Sequence, residues 1–366
     1  MELQEISEKI HTASRTGNPL RITGSGTKNF YGNELSGEVY SLREYSGMID
    51  YNPSELILTA KAGTYIAELE NILGLNGQMF PFEPPYFGES ATLGGTVACG
   101  FSGPRRPFTG SARSFTLGIK VIDGSGKILS FGGRVMKNVA GYDISRLMAG
   151  SLGTLGVILE ISMKVLPAPE AELTITREQN QNDAVEFFNN LAGRSLPLSG
   201  ASWYRGISYL RLSGSGSSIL ASSKKIGGDK IVLHDLESAE SGDEVSYWKQ
   251  LKEQKLPFFT DKRPLWRVSV PPATPPEVTH IENADAIYDW LGAIRWIKSD
   301  EDPKTIRNTA EIHGGHATLF RTPGSTTASG KNFCFLSPEV LKLHKNLKNV
   351  FDPKGILNPG RMHPEF

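Results

Sequence analysis

The chain has 366 residues, with 39 basic and 39 acidic side chains, 39 glycines and no net charge. At 39% hydrophobic and 21% charged residues it has the composition of an ordinary globular protein, which excludes disordered and collagen-like chains, and its length suits about two or three domains. The balanced charge argues against an overall pull toward nucleic acid or anionic lipid, and no stretch approaches the roughly 18 apolar residues of a membrane span.

In chain order, Leu3, Ile6 and Ile10 stand at helical spacing in an acidic segment unlike a signal peptide, predicting a surface helix of a cytosolic protein. Leu20 to Thr23 reads as a short strand halted by Gly24-Ser25-Gly26-Thr27-Lys28-Asn29. Leu56 to Ala62 reads as a second strand, after which Thr64 caps a helix to about Leu73. Thr116 to Ile122 and Lys127 to Phe131 flank Asp123-Gly124-Ser125-Gly126, a hairpin signal. Leu159, Ile161, Met163 and Val165 alternate with Glu160, Ser162 and Lys164, predicting a strand with one buried face.

Past residue 170 the pattern changes. A helix is expected over Asp183 to Leu191, a strand over Trp203 to Leu212, a loop over Ser213 to Ser218, and extended connections at Pro271 to Pro276 and Thr322 to Lys331. Trp290 and Trp296 with Ile287, Leu291 and Ile294 fit the core face of a helix. Phe351 to Met362 is too rich in Pro and Gly for a helix and looks placed for contact.

Glycine is unevenly spread: 24 of the 39 fall within residues 1–170, and 15 of those within 88–156. Such density needs a geometric cause, such as tight turns or backbone approaching a ligand. The Gly24 loop begins like a dinucleotide fingerprint, but Asn29 stands where the third glycine belongs and no helix pattern opens after it. No P-loop run occurs either. What remains is a nest of backbone N–H groups for an anion, although a loop of this kind alone reads first as a structural turn. Ala91 to Gly100 and Gly150 to Ile158 supply two further glycine loops, and three could converge on one extended ligand with a charged centre and flat ends.

These residues resemble the FAD-binding domain of the vanillyl-alcohol oxidase type flavoproteins. The family's diphosphate loop is similar to Ile22 to Thr27, its Ala-Thr-Leu-Gly-Gly segment to Ala91–Gly95, and its later motifs to Gly141-Tyr142-Asp143 and Gly150–Gly156. The implied fold is α+β: a PCMH-type FAD-binding domain of two α+β subdomains over 1–170, an α+β cap, substrate or partner-contact domain over 171–345, and a segment 346–366 returning to the FAD domain. The resemblance implies noncovalent FAD, held near the diphosphate by Gly24, Ser25, Gly26, Thr27 and Lys28. It implies further contacts from Thr92, Gly94, Gly95, Ala98, Gly156 and Val157, with Pro84 and Asn358 near the flavin ring.

Within the family, the likeness is greatest to the FAD-binding subunits of glycolate oxidase, through Leu152 in place of the usual Glu, the run Gly314 to Arg321, and Phe351 to Met362. The Glu-His-Gly-x-Gly signature of catalytic relatives is absent. The resemblance therefore implies a subunit of a complex oxidising glycolate, a small 2-hydroxy acid, to glyoxylate beside a catalytic flavoprotein subunit and an iron–sulfur subunit. It would sit in the cytoplasm, peripheral at the inner membrane through its partners. Two other readings stay open: a self-sufficient FAD-dependent 2-hydroxy-acid dehydrogenase, and a scaffold subunit that has lost the cofactor.

Hydroxy-acid oxidation needs a base and groups to hold a carboxylate. His316 and Arg321 are the candidates, with Arg267 and Arg295 more distant, against the plainer readings of a packed histidine and surface ion pairs. His313 and His316 form an H-x-x-H pair beside Gly314-Gly315, which disfavours the helix a zinc site of that spacing needs, so no metal is expected. Cys99 and Cys334 lack metal or redox spacing.

Overall fold

The computed structural model describes residues 1–34, 36–133, 143–228, 230–234, 247–276, 285–322 and 332–365. Gly141, Tyr142 and most of the Thr322 to Lys331 connection lie outside the described residues. The chain divides into two compact units: Met1–Ser102 with Gly110–Pro167 and Thr327–Phe366, and Gly103–Thr109 with Ala168–Thr326. The expected cut at residue 345 falls inside the helix Pro338–Phe351, whose buried Phe351 belongs to a core of the first unit.

The first unit holds a parallel pair, Leu20–Thr23 with Glu38–Ser41, and a five-stranded antiparallel sheet. The larger sheet runs Met48–Asn52, Ile57–Lys61, Val157–Lys164, Thr116–Ile122, Ile128–Gly132. The central strand corrects the one-face expectation, because a register shift between Ile158 and Glu160 breaks the alternation and both sides are covered: Ile158, Ile161 and Met163 enter one core and Val157 and Leu159 another. Its polar residues are accommodated by partners. Ser162 shares a 2.9 Å hydrogen bond with Thr59, and Glu160 an ion pair of 2.7 Å with Lys120. The helix Leu3–Thr16 buries Ile6, Ile10 and Ala13 in the second of these cores and stops at Gly17, whose φ of 72° suits the residue without Cβ. Thr64 is no cap: its hydroxyl accepts from Gly47 N at 2.9 Å, and Tyr65 takes the position before the helix Ile66–Gly74.

The second unit is an eight-stranded antiparallel sheet in the order Lys230–His234, Ala171–Glu178, Ile207–Gly214, Leu198–Tyr204, Asp285–Asp289, Ile294–Lys298, Leu265–Ser269, His316–Arg321. The helices Gln181–Ala192 and Pro303–Ile312 supply Phe188, Leu191, Ile306 and Ala310 to the core on one face. Three sequence expectations are corrected here. Trp203 to Leu212 is a hairpin turning at Arg205 and Gly206, both at positive φ. The loop expected at Ser213 to Ser218 is a strand end followed by Ser215, which caps the helix Gly216–Ile226 by accepting from Ser218 N. Ile287 and Trp296 lie on adjacent strands rather than one helix, since Trp290, Leu291 and Gly292 all take positive φ and fold the chain back. Among the described residues no helix is long and apolar enough to cross a membrane.

Candidate cofactor-binding site

An open cleft of about 760 Å3 lies within the first unit. The strand Leu20–Thr23 delivers the Gly24 loop to it. That strand pairs with Glu38–Ser41 on one side, while Asn358 closes on it through Ile22 N to Oδ1 at 2.7 Å and Asn358 N to Leu20 O at 3.0 Å. Ser41 Oγ donates to Gly24 O at 3.0 Å, which fixes where the loop leaves the strand. Ser25 donates its hydroxyl hydrogen to Ser90 O, so this side chain has only lone pairs left to offer.

The second loop enters the helix Leu93–Cys99, with Thr92 as its cap accepting from Gly95 N at 3.3 Å. Gly94 N donates to Ala62 O at 2.8 Å, and a Cβ at Gly94 would stand 2.6 Å from that of Ala62. The glycine is therefore required for helix to meet strand, and Gly94 also lines the cleft. The third loop locks onto the second: Gly150 N donates to Val97 O at 3.0 Å and Leu152 N to Ala98 O at 2.8 Å. Leu152 takes φ 54°, a strained conformation for a branched residue, and Asn358 Nδ2 holds its carbonyl at 2.7 Å.

Asn358 thus fastens the first loop to the third. Replacing it with alanine leaves the half-buried Ile22 N and the buried Leu152 O unmatched, so a loss of about 1–4 kcal/mol is expected from urea unfolding. A change below 0.5 kcal/mol would show that the bridge is dispensable.

Gly24, Ser25, Gly26, Thr27, Lys28, Thr92, Gly94, Gly95, Ala98, Gly156 and Asn358 all line the cleft. Pro84 and Val157 do not. Pro84 is buried away from it, and Val157 turns its side chain into a core while its strand pairs at Ile122. Cys99, which stands in the second glycine loop but was not among the expected site residues, and Arg361, which sequence reasoning passed over, also line it. Burial raises the Cys99 pKa against the opposing pull of Lys28 and Arg361, so the thiol stays protonated near neutrality. The lining holds two cationic side chains, no acidic one, and six glycines whose backbone a ligand can approach. That donor set fits an anionic dinucleotide such as FAD.

His316 and Arg321 lie in the second unit, at opposite ends of one strand and about 16 Å apart along it. His316 pairs across from Ser269, and its pKa is lowered by burial and by the charge of Arg267. Arg321 donates to Gln254 Oε1 at 3.1 Å. The structure therefore brings His316 near Arg267 instead of near Arg321. Arg295 is fully buried, with its guanidinium donating to the carbonyls of Thr274 and Pro275, a structural use. His313 Nδ1 bonds Thr309 O at 2.9 Å, and among the described residues no cluster of three or more His, Cys, Asp or Glu could hold a metal.

Comparison with known proteins agrees with the cleft. The FAD binding domain family matches residues 2–132, and the C-terminal domain of the FAD linked oxidases matches residues 334–362. Glycolate oxidase subunit GlcE of Escherichia coli strain K12 is 42% identical over 363 residues, covering 99% of this chain and 98% of that protein. Glycolate oxidase subunit GlcD of Bacillus subtilis strain 168 is 30% identical over 183 residues, covering 49% of this chain and 38% of its own length. The solved structure of alkyldihydroxyacetonephosphate synthase shares the fold at TM-score 0.65 and 14% identity, covering 97% of this chain and 75% of that one. The chain therefore belongs to the FAD-linked oxidases that include the glycolate oxidase subunit GlcE, with FAD as its cofactor and oxidoreduction as its chemistry.

Proposed function

We propose that the chain is the FAD-binding subunit of a complex that oxidises glycolate to glyoxylate, working beside a catalytic flavoprotein subunit and an iron–sulfur subunit. The observation that carries this is the glycine-lined cationic cleft in a chain matching a glycolate oxidase subunit over nearly its full length. Bound FAD supplies a two-electron acceptor for the C–H bond of a 2-hydroxy acid. The Gly24, Gly94 and Gly153 loops would hold the dinucleotide, and Lys28, buried and donating to Tyr86 O at 3.1 Å, would bring positive charge to its diphosphate. Membrane contact is assigned to the partner subunits.

The purified chain is expected to show flavin absorbance bands and to co-purify with untagged partner subunits. Absence of flavin even after FAD is added would leave the scaffold reading in its place. A second reading, a self-sufficient dehydrogenase, is favoured by one observation: His316, with its lowered pKa, is neutral and able to accept a proton at neutral pH beside a cation suited to a carboxylate. Under the subunit reading, glycolate added anaerobically leaves the isolated chain's flavin oxidised. Bleaching that is abolished by His316→Asn, with an acidic limb below the ordinary histidine value of 6.5, would support the second reading instead.

A further inference from the structure

Arg361 is only 5% exposed, yet it lines the cleft. Its Nη1 donates to Asn33 O at 2.7 Å, and Nη2 to Asn29 O at 3.2 Å and Lys28 O at 3.4 Å. All three acceptors are main-chain carbonyls, and Arg361 makes no ion pair with a carboxylate among the described residues. Burial brings its pKa down to about 10, with Cys99 raising and Arg21 lowering it, so it is still charged at neutral pH. A desolvated cation without an acid is costly unless an anion comes to it.

The surrounding chain is built to hold this one side chain. Asn33 donates from N to Arg361 O at 2.9 Å and from Nδ2 to Gly360 O at 3.0 Å and Met362 O at 3.2 Å. Asn332 in turn grips Gly32 O at 2.6 Å and Asn33 Oδ1 at 3.1 Å. Gly32 has φ 89°, and a Cβ there would stand 3.0 Å from Arg361 Nε, so a side chain at this position would push the guanidinium out of place. Lys28, 6% exposed, is the second cation of the lining.

Resting on the FAD reading of the cleft, we propose that Arg361 is a cofactor-binding residue that, together with Lys28, neutralises the diphosphate of the dinucleotide. Recognition then combines backbone donors from the glycine loops with two fixed charges. A flavin lacking phosphate should gain nothing from Arg361.

The test is fluorescence titration of the flavin-free protein with FAD and with riboflavin, in the wild type, Arg361→Met and Arg361→Lys, at several salt concentrations. Arg361→Met is expected to weaken FAD binding about 10- to 100-fold, to leave riboflavin affinity unchanged and to flatten the salt dependence of FAD binding. Arg361→Lys should recover part of the loss, because it restores charge without the planar fork. Equal loss of both flavins, unchanged FAD affinity, or an unchanged salt slope would each overturn the proposal. A wild-type chain that binds neither flavin would overturn the cofactor reading itself, a result distinct from any failure confined to the Arg361 variants.

Discussion

Asp352→Ala should lower the unfolding free energy by about 3–5 kcal/mol, because it strips the partner from a buried ammonium. Lys348 and Asp352 are 3% and 0% exposed and meet at 2.7 Å. The other hydrogens of Lys348 Nζ go to Thr154 O and Leu357 O, both at 2.8 Å. Asp352 accepts from Ile356 N at 3.1 Å and Leu357 N at 2.7 Å, and Gly124 packs so tightly on it that no Cβ could fit there. One ion pair thus ties the final helix, the third glycine loop and the hairpin turn to the segment that carries Asn358.

Burial lowers the Lys348 pKa, and Asp352 is what opposes that shift. Without Asp352 the folded value drops further below the ordinary 10.5. The unfolded chain then binds more protons than the folded one, and the variant's stability should rise with pH toward that value. Urea unfolding at a series of pH values measures both effects. Lys348→Met combined with Asp352→Leu should lose less than the two single changes added together, since neither charge is left alone. A single-variant loss under about 1 kcal/mol would mean that water reaches the pair and the clamp is weak.

The second large effect is expected at Gly94. Valine there places a branched Cβ against Ala62, 2.6 Å from its Cβ and 3.0 Å from its carbonyl oxygen, at a point where helix and strand are joined by a backbone hydrogen bond. The helix must move off the strand Ile57–Lys61, at about 1–3 kcal/mol or more. Because the helix also carries Gly95 and Ala98 in the cleft lining, FAD affinity should fall at least tenfold with it. Paired melting curves and flavin titrations check this. Wild-type affinity in the valine variant would show that the helix can shift without disturbing the cradle.

The cleft was largely legible because turn chemistry is local: Gly24, Gly26, Gly94, Gly95 and Gly156 stand out in a stretch where tight packing, turns and the cleft lining each call for residues without Cβ. Their convergence was not local. Asn358 reaches Ile22 across 336 positions, and only likeness to a family linked that tail to the loops. Arg361 was missed because one basic residue after Asn358-Pro359-Gly360 carries no pattern of its own; its meaning comes from the collar of Asn33, Gly32 and Asn332. Around Trp290, spacing misled for a physical reason. Ile287, Leu291 and Ile294 satisfy a helical period, but two short strands joined by a left-handed turn place the same residues in the core, and no pattern announces a leucine at φ 61°. The central strand Val157–Lys164 hid its second buried face behind polar residues that find partners on neighbouring strands.

The stitching of Leu20–Thr23 to Leu357 and Asn358 also bears on how the protein is made. With 336 positions between the two sides of that seam, a ribosome adding 5–20 residues per second leaves the first strand waiting roughly 20–70 s for its neighbour. During that interval the Gly24 loop exists but its anchor does not, and the residues of the second unit are synthesised in between. FAD would accordingly be captured only after translation of the whole cradle.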